Sequence, residues 1–582
     1  MTVFDNGALA LHFQIDGFRL LYGSVTAFLW LITSIFSPGY FAKTNQSKDK
    51  INRYWLFNLL TFGATLGVFF SADFRTTFLF FELMSLASYP LVAHDETPQA
   101  LRAAETYLII AIMGGLSILA GMLFLYMQLG TLEFAGLYEI CKGMEDRSPL
   151  YLPGILMLIG FGAKAGMFPL HIWLPKAHPV APAPASALLS GILIKTGVFG
   201  VIVLSSNVFF NDHTWGLMLL LPAAITMVLG ALMAIFSTDL KHTLACSSVS
   251  QMGFILTGVA MQVFLAGNSS LASRGVLLHM LNHSLLKLLL FTIAGVVYMN
   301  RKKLHLNEIR GFGRGKKLFT FVFLTAALSI SGIPLFSGYI SKTLLHEGIV
   351  EAVYLYQNLS LENFLVLIDI AFIFTGGLTI TYMVKLIFVL FTGQNENAEK
   401  EKSYMGTFQA IALAASAILV LVLGLVPIFM DKLANIGQSF FQGQPLKVPV
   451  YYFSQKNLQS VLNSLLIGAV VIIFVIHNFL ARKPELPKWL DLEDTIYRPL
   501  LKLFFQLAYF FLVKTILALN ALMKLLFNFA FFIIRITAAL PAAPLRQPSW
   551  EEPASIGGFS LGLLLAGAGL CVALIYVFIQ AF

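Results

Sequence analysis

The sequence predicts an all-α polytopic membrane protein, a single bundle of about 14 transmembrane helices. Three observations predict it. The chain is 58% hydrophobic and only 12% charged, with a mean hydropathy of +0.80, and a soluble domain carries about twice that charge. Its apolar residues gather into runs of roughly 20, the length that crosses a ~30 Å hydrocarbon core as a helix. The charges that remain collect in alternating loops. One set holds Lys43, Lys48, Lys50 and Arg53, and later the run NRKKLHLNEIRGFGRGKK at 300–317; the other holds the net acidic LEFAGLYEICKGMEDR and HEGIVEAVYLYQNLSLE. Positive loops stay cytoplasmic, so the N-terminus is expected outside and the 300–317 loop inside.

In order, spans are expected at 17–37, 54–72, 75–94, 104–128, 150–174, 184–208, 215–237, 243–266, 275–299, 317–345, 364–391, 407–430, 461–481 and 557–580. The first already has transmembrane length and lacks a small-residue cleavage pattern, so it reads as a span and not as a leader. The formal charge of +9 is accounted for by the basic loops and implies no nucleic acid. Cys141, Cys246 and Cys571 are far apart and form no CxxC, which argues against a metal or cluster site.

Residues 54–208 and 215–391 each make five spans, an odd number that inverts the second set relative to the first. Each set contains one span broken by proline, at Pro169 and at Pro334. Inverted repeats with discontinuous helices are a recurring transporter plan. The chain thus divides into an N-terminal helix and loop (1–53), a first repeat (54–208), a second repeat (215–391), additional helices (392–481), a lateral helix with its linker (482–556) and an anchoring helix (557–582).

The segment 500–540 reads either as a hairpin of two short spans or as one long helix lying along the membrane. Phased from Lys502, the residues Gln506, Lys514, Asn520, Lys524, Asn528 and Arg535 fall in an arc of about 120°. No Gly or Pro interrupts the run, and PAAPLRQPSWEEP ends it. One helix of about 40 residues spans roughly 60 Å. The preserved phase favours this amphipathic lateral helix.

Charges inside spans are rare and are functional candidates. The stretch FGAKAGMFPLHIWLPKAHPVAPAPASALLSGILIKTGVFG holds Lys164 and Lys195 on either side of a proline-rich corner; Glu82 lies in FLFFELMSLASYP; His279, His283 and Lys287 recur at four-residue spacing in HMLNHSLLK; Lys342 follows the second break. Lys385, in TYMVKLIFVLF, and Glu105, in AAETYLII, sit nearer predicted ends. Each has a plain structural reading. Glu82 and Lys164 would form a static ion pair, the histidines would donate to backbone carbonyls, and Lys385 would snorkel to the headgroups. A metal site on the two histidines lacks a neighbouring third ligand. Taken together, a series of Glu, Lys, Lys, His and Lys over successive spans is what a proton relay needs. Burial penalises the charged form of a lysine and a nearby carboxylate favours it, so moving Glu82 against Lys164 shifts where the proton sits. Small polar residues beside the set, Ser85, Ser88, Ser186, Ser190 and Thr196, suit the ordering of water.

The motifs FFELMSLASYPLV, GFGAKAGMFPLHIWLPKAHPVAPAPASALLSGILIKTGVFG, DLKHTLACSSVSQMGF, HMLNHSLLKLLLFTIAG and SGIPLFSGYISK resemble, over residues 10–430, the antiporter-like subunits of respiratory complex I, membrane-bound hydrogenases and Mrp-type antiporters. By that resemblance Glu82 pairs with Lys164, Lys195 links two half-channels, Lys287 with His283 forms the central site and Lys342 faces the exit, with His279 and Lys385 secondary. The tail resembles that of the large distal subunit. Two features depart from the family pattern: two further spans usually precede the segment FQIDGFRLLYGS, and that distal subunit often has histidine-type chemistry where this chain has Lys195.

The resemblance implies a proton-translocating subunit of a complex I-related membrane oxidoreductase, of NADH dehydrogenase or hydrogenase type, in a prokaryotic cytoplasmic membrane. Its expected partners are membrane lipid, other antiporter-like and small membrane subunits, and a redox arm on the cytoplasmic side. No cofactor is expected on this chain, which shows no cluster ligands and no dinucleotide fingerprint. The alternative is a component of an Mrp-type Na+/H+ antiporter driven by ion gradients alone.

Overall fold

The computed structural model describes residues 2–3, 10–265, 268–358, 361–392, 403–442 and 450–475, with eight isolated helical positions between 499 and 525. The chain divides into a unit spanning Met1–Pro484 with Gln580–Phe582 and a second unit, Glu485–Ile579. The lateral helix expected at 500–540 and the span expected at 557–580 lie outside the continuously described residues.

Among the described residues the regular elements of the first unit are helices apart from a two-residue strand pair, Thr2–Val3 with Leu11–His12. Helix α1 (Gly17–Thr44) is capped by Asp16. The first repeat follows: α2 (Lys48–Phe70), capped by Ser47; α3 (Phe74–Val92), capped by Asp73; and α4 (Pro98–Leu129), capped by Thr97 with Pro98 in its first turn and closed by Gly130 at φ 68°. Each cap is a Ser, Thr or Asp side chain accepting an amide that the first turn would otherwise leave unpaired. A short α5 (Phe134–Lys142) leads to α6 (Tyr151–Ala165), α7 (Trp173–Val180), α8 (Ala183–Leu188) and α9 (Ile194–Val203). The second repeat runs through α10 (His213–Phe236), α11 (Leu240–Leu265), α12 (Leu271–Arg301), α13 (Lys317–Ser331), α14 (Ser337–Leu355) and α15 (Glu362–Phe391). Helices α16 (Thr407–Leu425), α17 (Pro427–Gly437) and α18 (Gln455–Val475) follow the second repeat.

Among the described residues ten helices are long and apolar enough to cross a membrane. The protein is a multi-pass membrane protein. Several expected spans differ in their ends. The expected 407–430 stops at Leu425, where Pro427 begins the separate α17. The expected acidic loop at 132–147 contains α5, which is nine residues long and too short for a transmembrane window to register.

Both breaks are built alike. After α6, Gly166 (φ 75°) donates to the Ala163 carbonyl and Met167 to that of Gly162; after α13, Gly332 (φ 75°) donates to Ser329 and Ile333 to Leu328. This is the Schellman arrangement, a left-handed glycine that closes a helix, with Pro169 and Pro334 just beyond preventing continuation. The proline corner is a short helix, α7, that carries Pro175 and Pro179, and a turn at Ala181–Pro182 that opens α8.

Burial separates an inner layer from an outer one. The apolar windows of residues 183–208, 240–265 and 271–301 are entirely buried, whereas that of 455–473 is 11% buried. Glycines let helices approach backbone to backbone, as membrane packing favours. A Cβ at Gly230 of α10 would lie 2.3 Å from the Ser250 nitrogen, and one at Gly253 of α11 2.2 Å from the Met227 nitrogen. Buried Arg274 fixes the start of α12 to α17 through Asp431 (3.3 Å), Gln438 (3.0 Å) and Asn435. Outside the spans, the Glu96 carboxylate meets Lys50 at 3.1 Å and Arg53 at 2.6 Å, and hydrogen bonds from these two cations hold it below the usual carboxylate range.

Because Gly230 and Gly253 face each other's backbone, neither site has a flexible side chain that can yield. Gly253→Val is expected to lower the thermal unfolding midpoint in detergent by several degrees and to reduce recovery of monodisperse protein. A variant with unchanged midpoint and yield would show that the α10–α11 contact is not close.

Candidate functional site

The Lys164 ammonium, in the last turn of α6, donates to Ser85 Oγ at 3.0 Å and to Tyr107 OH at 2.7 Å. The Tyr107 ring lies 5.0 Å from it. Ser88 shares a 2.6 Å hydrogen bond with the same Tyr107 hydroxyl. Glu82 stands one turn before Ser85 on α3, and its buried Oε1 has no hydrogen-bond partner. Its carboxylate lies against Gly115 of α4, where a Cβ would fall 2.3 Å from Oε1. A Cβ at Gly114, beside it, would lie 3.3 Å from the Gly160 carbonyl oxygen of α6. The Gly-Gly pair thus brings α4 onto α6 and leaves the space that the carboxylate occupies.

Lys195 is fully buried at the start of α9. It donates to the Ser190 carbonyl at 2.7 Å and lies 2.5 Å from His283 Nδ1. Ser190 belongs to a π-turn, Leu189–Leu193, between α8 and α9. Such turns disturb the regular i→i−4 ladder and recur at functional sites, and here the carbonyl they expose meets the lysine. Ser190 Oγ also bonds Ser248 Oγ of α11 at 2.7 Å, and Ser248 donates to the Leu244 carbonyl at 2.9 Å. That carbonyl accepts from Lys287 Nζ at 2.8 Å, and Lys287 also donates to Ser247 Oγ. Lys195 and Lys287 are therefore joined through Ser190, Ser248 and the Leu244 carbonyl, while His283, one turn before Lys287 on α12, meets Lys195 through Nδ1 and leaves its Nε2 without a hydrogen-bond partner.

One turn before His283 on α12, His279 bonds Gln251 Oε1 at 2.9 Å and Ser341 Oγ at 3.0 Å, the residue next to Lys342. Lys342 Nζ is buried without a hydrogen-bond partner, 4.8 Å over the Phe254 ring. Its stem packs on the second break, where a Cβ at Gly332 would lie 3.0 Å from Lys342 Cδ. Lys385 has a defined place: its ammonium donates to the carbonyls of Ala234, Ile235 and Ser237 at 2.7–2.9 Å. It closes the C-terminus of α10, where partial negative charge favours a cation, and this replaces the expected snorkelling. Lys241, which the sequence reading did not single out, does the same for Ala181 at 2.6 Å.

The candidates thus form two groups. Lys195 of α9 and His279, His283 and Lys287 of α12 form one group against α11, which supplies the Leu244 carbonyl and the Ser247, Ser248 and Gln251 side chains. Glu82 and Lys164 form a separate group across α3, α4 and α6. Among the described residues none of Lys164, Lys195, Lys287 and Lys342 has a carboxylate within ion-pair range, and no three His, Cys, Asp or Glu side chains converge as metal ligands. A static Glu82–Lys164 ion pair is not formed. Sequence reading missed Tyr107, Ser247 and Gln251 as partners; the four-residue spacing of Ser247 and Gln251, which matches that of His283 and Lys287, was the available signal.

A family model described as NADH:quinone oxidoreductase/Mrp antiporter, transmembrane, matches residues 71–368, about half of the chain, with both breaks and the buried lysines from Lys164 to Lys342 inside it. The chain belongs to this family. Among similar proteins is hydrogenase-4 component B of Escherichia coli, 33% identical over 63% of this chain and 56% of that protein. Two Na(+)/H(+) antiporter components of Alkalihalophilus pseudofirmus are also similar. One is 29% identical over 72% of this chain and 53% of its own length; the other is 26% identical over 74% of this chain and 85% of its own. The chain spans about half the length of the first curated relatives it matches. Its fold is that of a chain in the Mrp complex of Dietzia sp. DQ12-45-1b, with a TM-score of 0.65 at 20% identity over 78% of this chain and 87% of that one.

The Lys164–Tyr107 contact has a thermodynamic signature. Removing a hydrogen bond to an ammonium costs about 1.5–3 kcal/mol, so Tyr107→Phe is expected to destabilise the protein by that amount in equilibrium unfolding. In a Lys164→Met background the same change is expected to cost much less. Equal costs in both backgrounds would show that the contact carries no energy.

Proposed function

We propose that this chain is the proton-translocating, antiporter-like subunit of a complex I-related membrane oxidoreductase, of hydrogenase or NADH dehydrogenase type. It carries no redox cofactor itself and works beside other membrane subunits and a cytoplasmic redox arm, which supplies the driving reaction. One observation carries the reading. Four lysines lie buried in the bundle without a carboxylate partner, and an unpaired buried charge is too costly to serve as a structural staple. The contacts of Lys164, Lys195 and Lys287 are hydroxyls, carbonyls and an imidazole, groups that hold a proton in place and let it move on, and Lys342 Nζ has no protein hydrogen bond. In this scheme Glu82 and Lys164 form the first switch, Lys195 and His283 the link, Lys287 the central site and Lys342 the outlet.

The second reading, a component of an Na+/H+ antiporter driven by ion gradients, draws support from the similarity to the two Alkalihalophilus antiporter chains. The chains that co-purify with the protein separate the two: a redox arm supports the first, and small membrane subunits alone support the second.

Lys164→Ala and Glu82→Ala are each expected to abolish coupled ion transport in vesicles containing the intact complex, with assembly on native gels unchanged. Full transport in either variant would overturn the relay.

A further inference from the structure

Beyond Lys342, a cavity of about 40 Å³ lies between α14, α15 and α18, lined among others by Lys342, Thr343, His346, Asn457, Ser460 and Ser464. A water needs roughly 10–15 Å³ of such space, so there is room for two or three. Lys342, His346 and Asn457 are each more than nine-tenths buried, and Lys342 Nζ, His346 Nε2 and Asn457 Oδ1 all lack a protein hydrogen bond. Two of these atoms, Lys342 Nζ and Asn457 Oδ1, belong to side chains that line the cavity and meet no other polar group, which marks a hydrated site, because buried polar groups that find no protein partner take water. On its far side the His346 imidazole reaches Asp369 of α15. Nε2 lies 2.9 Å from Asp369 Oδ1, within ion-pair range although not aligned as a hydrogen bond, and the Asp369 side chain is 27% exposed. Asp369 is seven residues into α15, about 10 Å from its start. By the charge of the loops that start faces outward.

Resting on the relay reading above, we propose that His346 and Asp369 form the proton outlet of the second repeat, with Lys342 delivering its proton through water held in the cavity by Asn457. Lys342 gives a proton to cavity water and becomes a neutral amine. The water passes one to His346 Nδ1, and the imidazolium releases another from Nε2 to the Asp369 carboxylate. The resulting carboxylic acid loses its proton to outside water, and a water-mediated transfer of the remaining ring proton from Nδ1 to Nε2 restores the starting tautomer. No net bond is made or broken beyond the proton's passage. Asn457, Ser460 and Ser464 belong to α18, outside both five-helix repeats, so the outlet uses a helix that the repeat plan does not supply.

The test uses the intact complex in sealed vesicles, with Lys164→Ala as the reference for a dead relay. His346→Asn and Asp369→Asn are each expected to lower the transport rate by on the order of tenfold, with assembly unchanged on native gels. The double variant should be no slower than the slower single one, since the two groups act in series, and Asp369→Glu should restore most of the rate. Asp369→Cys should react with a membrane-impermeant maleimide added from the outside. Transport at the unaltered rate in His346→Asn and Asp369→Asn, with Lys164→Ala dead, would overturn the outlet and leave the relay standing. So would additive losses without rescue by glutamate, which mark a structural pair. Transport in Lys164→Ala would overturn the relay itself.

Discussion

An ammonium group taken out of water must be met by oxygen, and in this bundle that oxygen is almost never a carboxylate. Several buried lysines instead lie where a helix has stopped or loosened, whereas Lys287 stands in the middle of α12 and takes its oxygen from Leu244 and Ser247 of α11. Lys164 stands in the last turn of α6, Lys385 closes α10 on three carbonyls, Lys241 closes α7 on Ala181, and Lys195 meets the Ser190 carbonyl exposed by a π-turn. The end of a helix carries about half a negative charge in its unpaired carbonyls. That charge is fixed to the backbone and takes no proton. The breaks are therefore the counter-charges of the site as well as interruptions of the fold.

Glycines make this possible by removing side chains from the crossings. A Cβ at Gly197 of α9 would lie 2.4 Å from the Phe161 carbonyl and 2.6 Å from the Ala165 nitrogen. The helix bearing Lys195 thus rests on the backbone that bears Lys164, and Gly200 packs one turn further on against the Phe161 ring. This contact holds the two halves at a set spacing. Adjustment between them falls to the long lysine stems and to Glu82, whose carboxylate rests against Gly115 with one oxygen unbonded.

The parts legible in the sequence are those with local causes. Proline announced both breaks, because its missing amide acts within four residues; the left-handed glycines that close the helices came only with the structure. The lysines stood out because charge inside an apolar run is visible at once. The partners were not legible. Nothing near Lys164 in sequence points to Tyr107, 57 residues away, and the resemblance named Glu82 as the paired group. The π-turn at 189–193 contains Gly191, but a lone glycine in an apolar run does not single it out, and the turn is seen only with Lys195 and Ser248 in place. Helix α17 is 11 residues long, below the window that reveals a span, and its hold on Arg274 is a tertiary contact.

The two repeats show why contact and not alignment decides the site. In the first, the lysine precedes the break: Lys164 is two residues before Gly166, inside the helix that ends there. In the second, it follows the break: Lys342 is ten residues after Gly332 and reaches back from α14, its stem packed on that glycine. Superposing the sequences at the glycines would leave the lysines unmatched. Superposing the electrostatics brings them together, since each ammonium comes to rest beside the closed end of the leading half-helix. What differs is the remaining surroundings. Lys164 is held by two hydroxyls and faces Glu82 across a tight crossing, whereas Lys342 has no protein acceptor and opens onto the cavity beside His346. The same helix-end charge thus serves two surroundings, a cavity of about 10 Å³ beside Lys164 and Tyr107 in one half and one of about 40 Å³ beside Lys342 and His346 in the other.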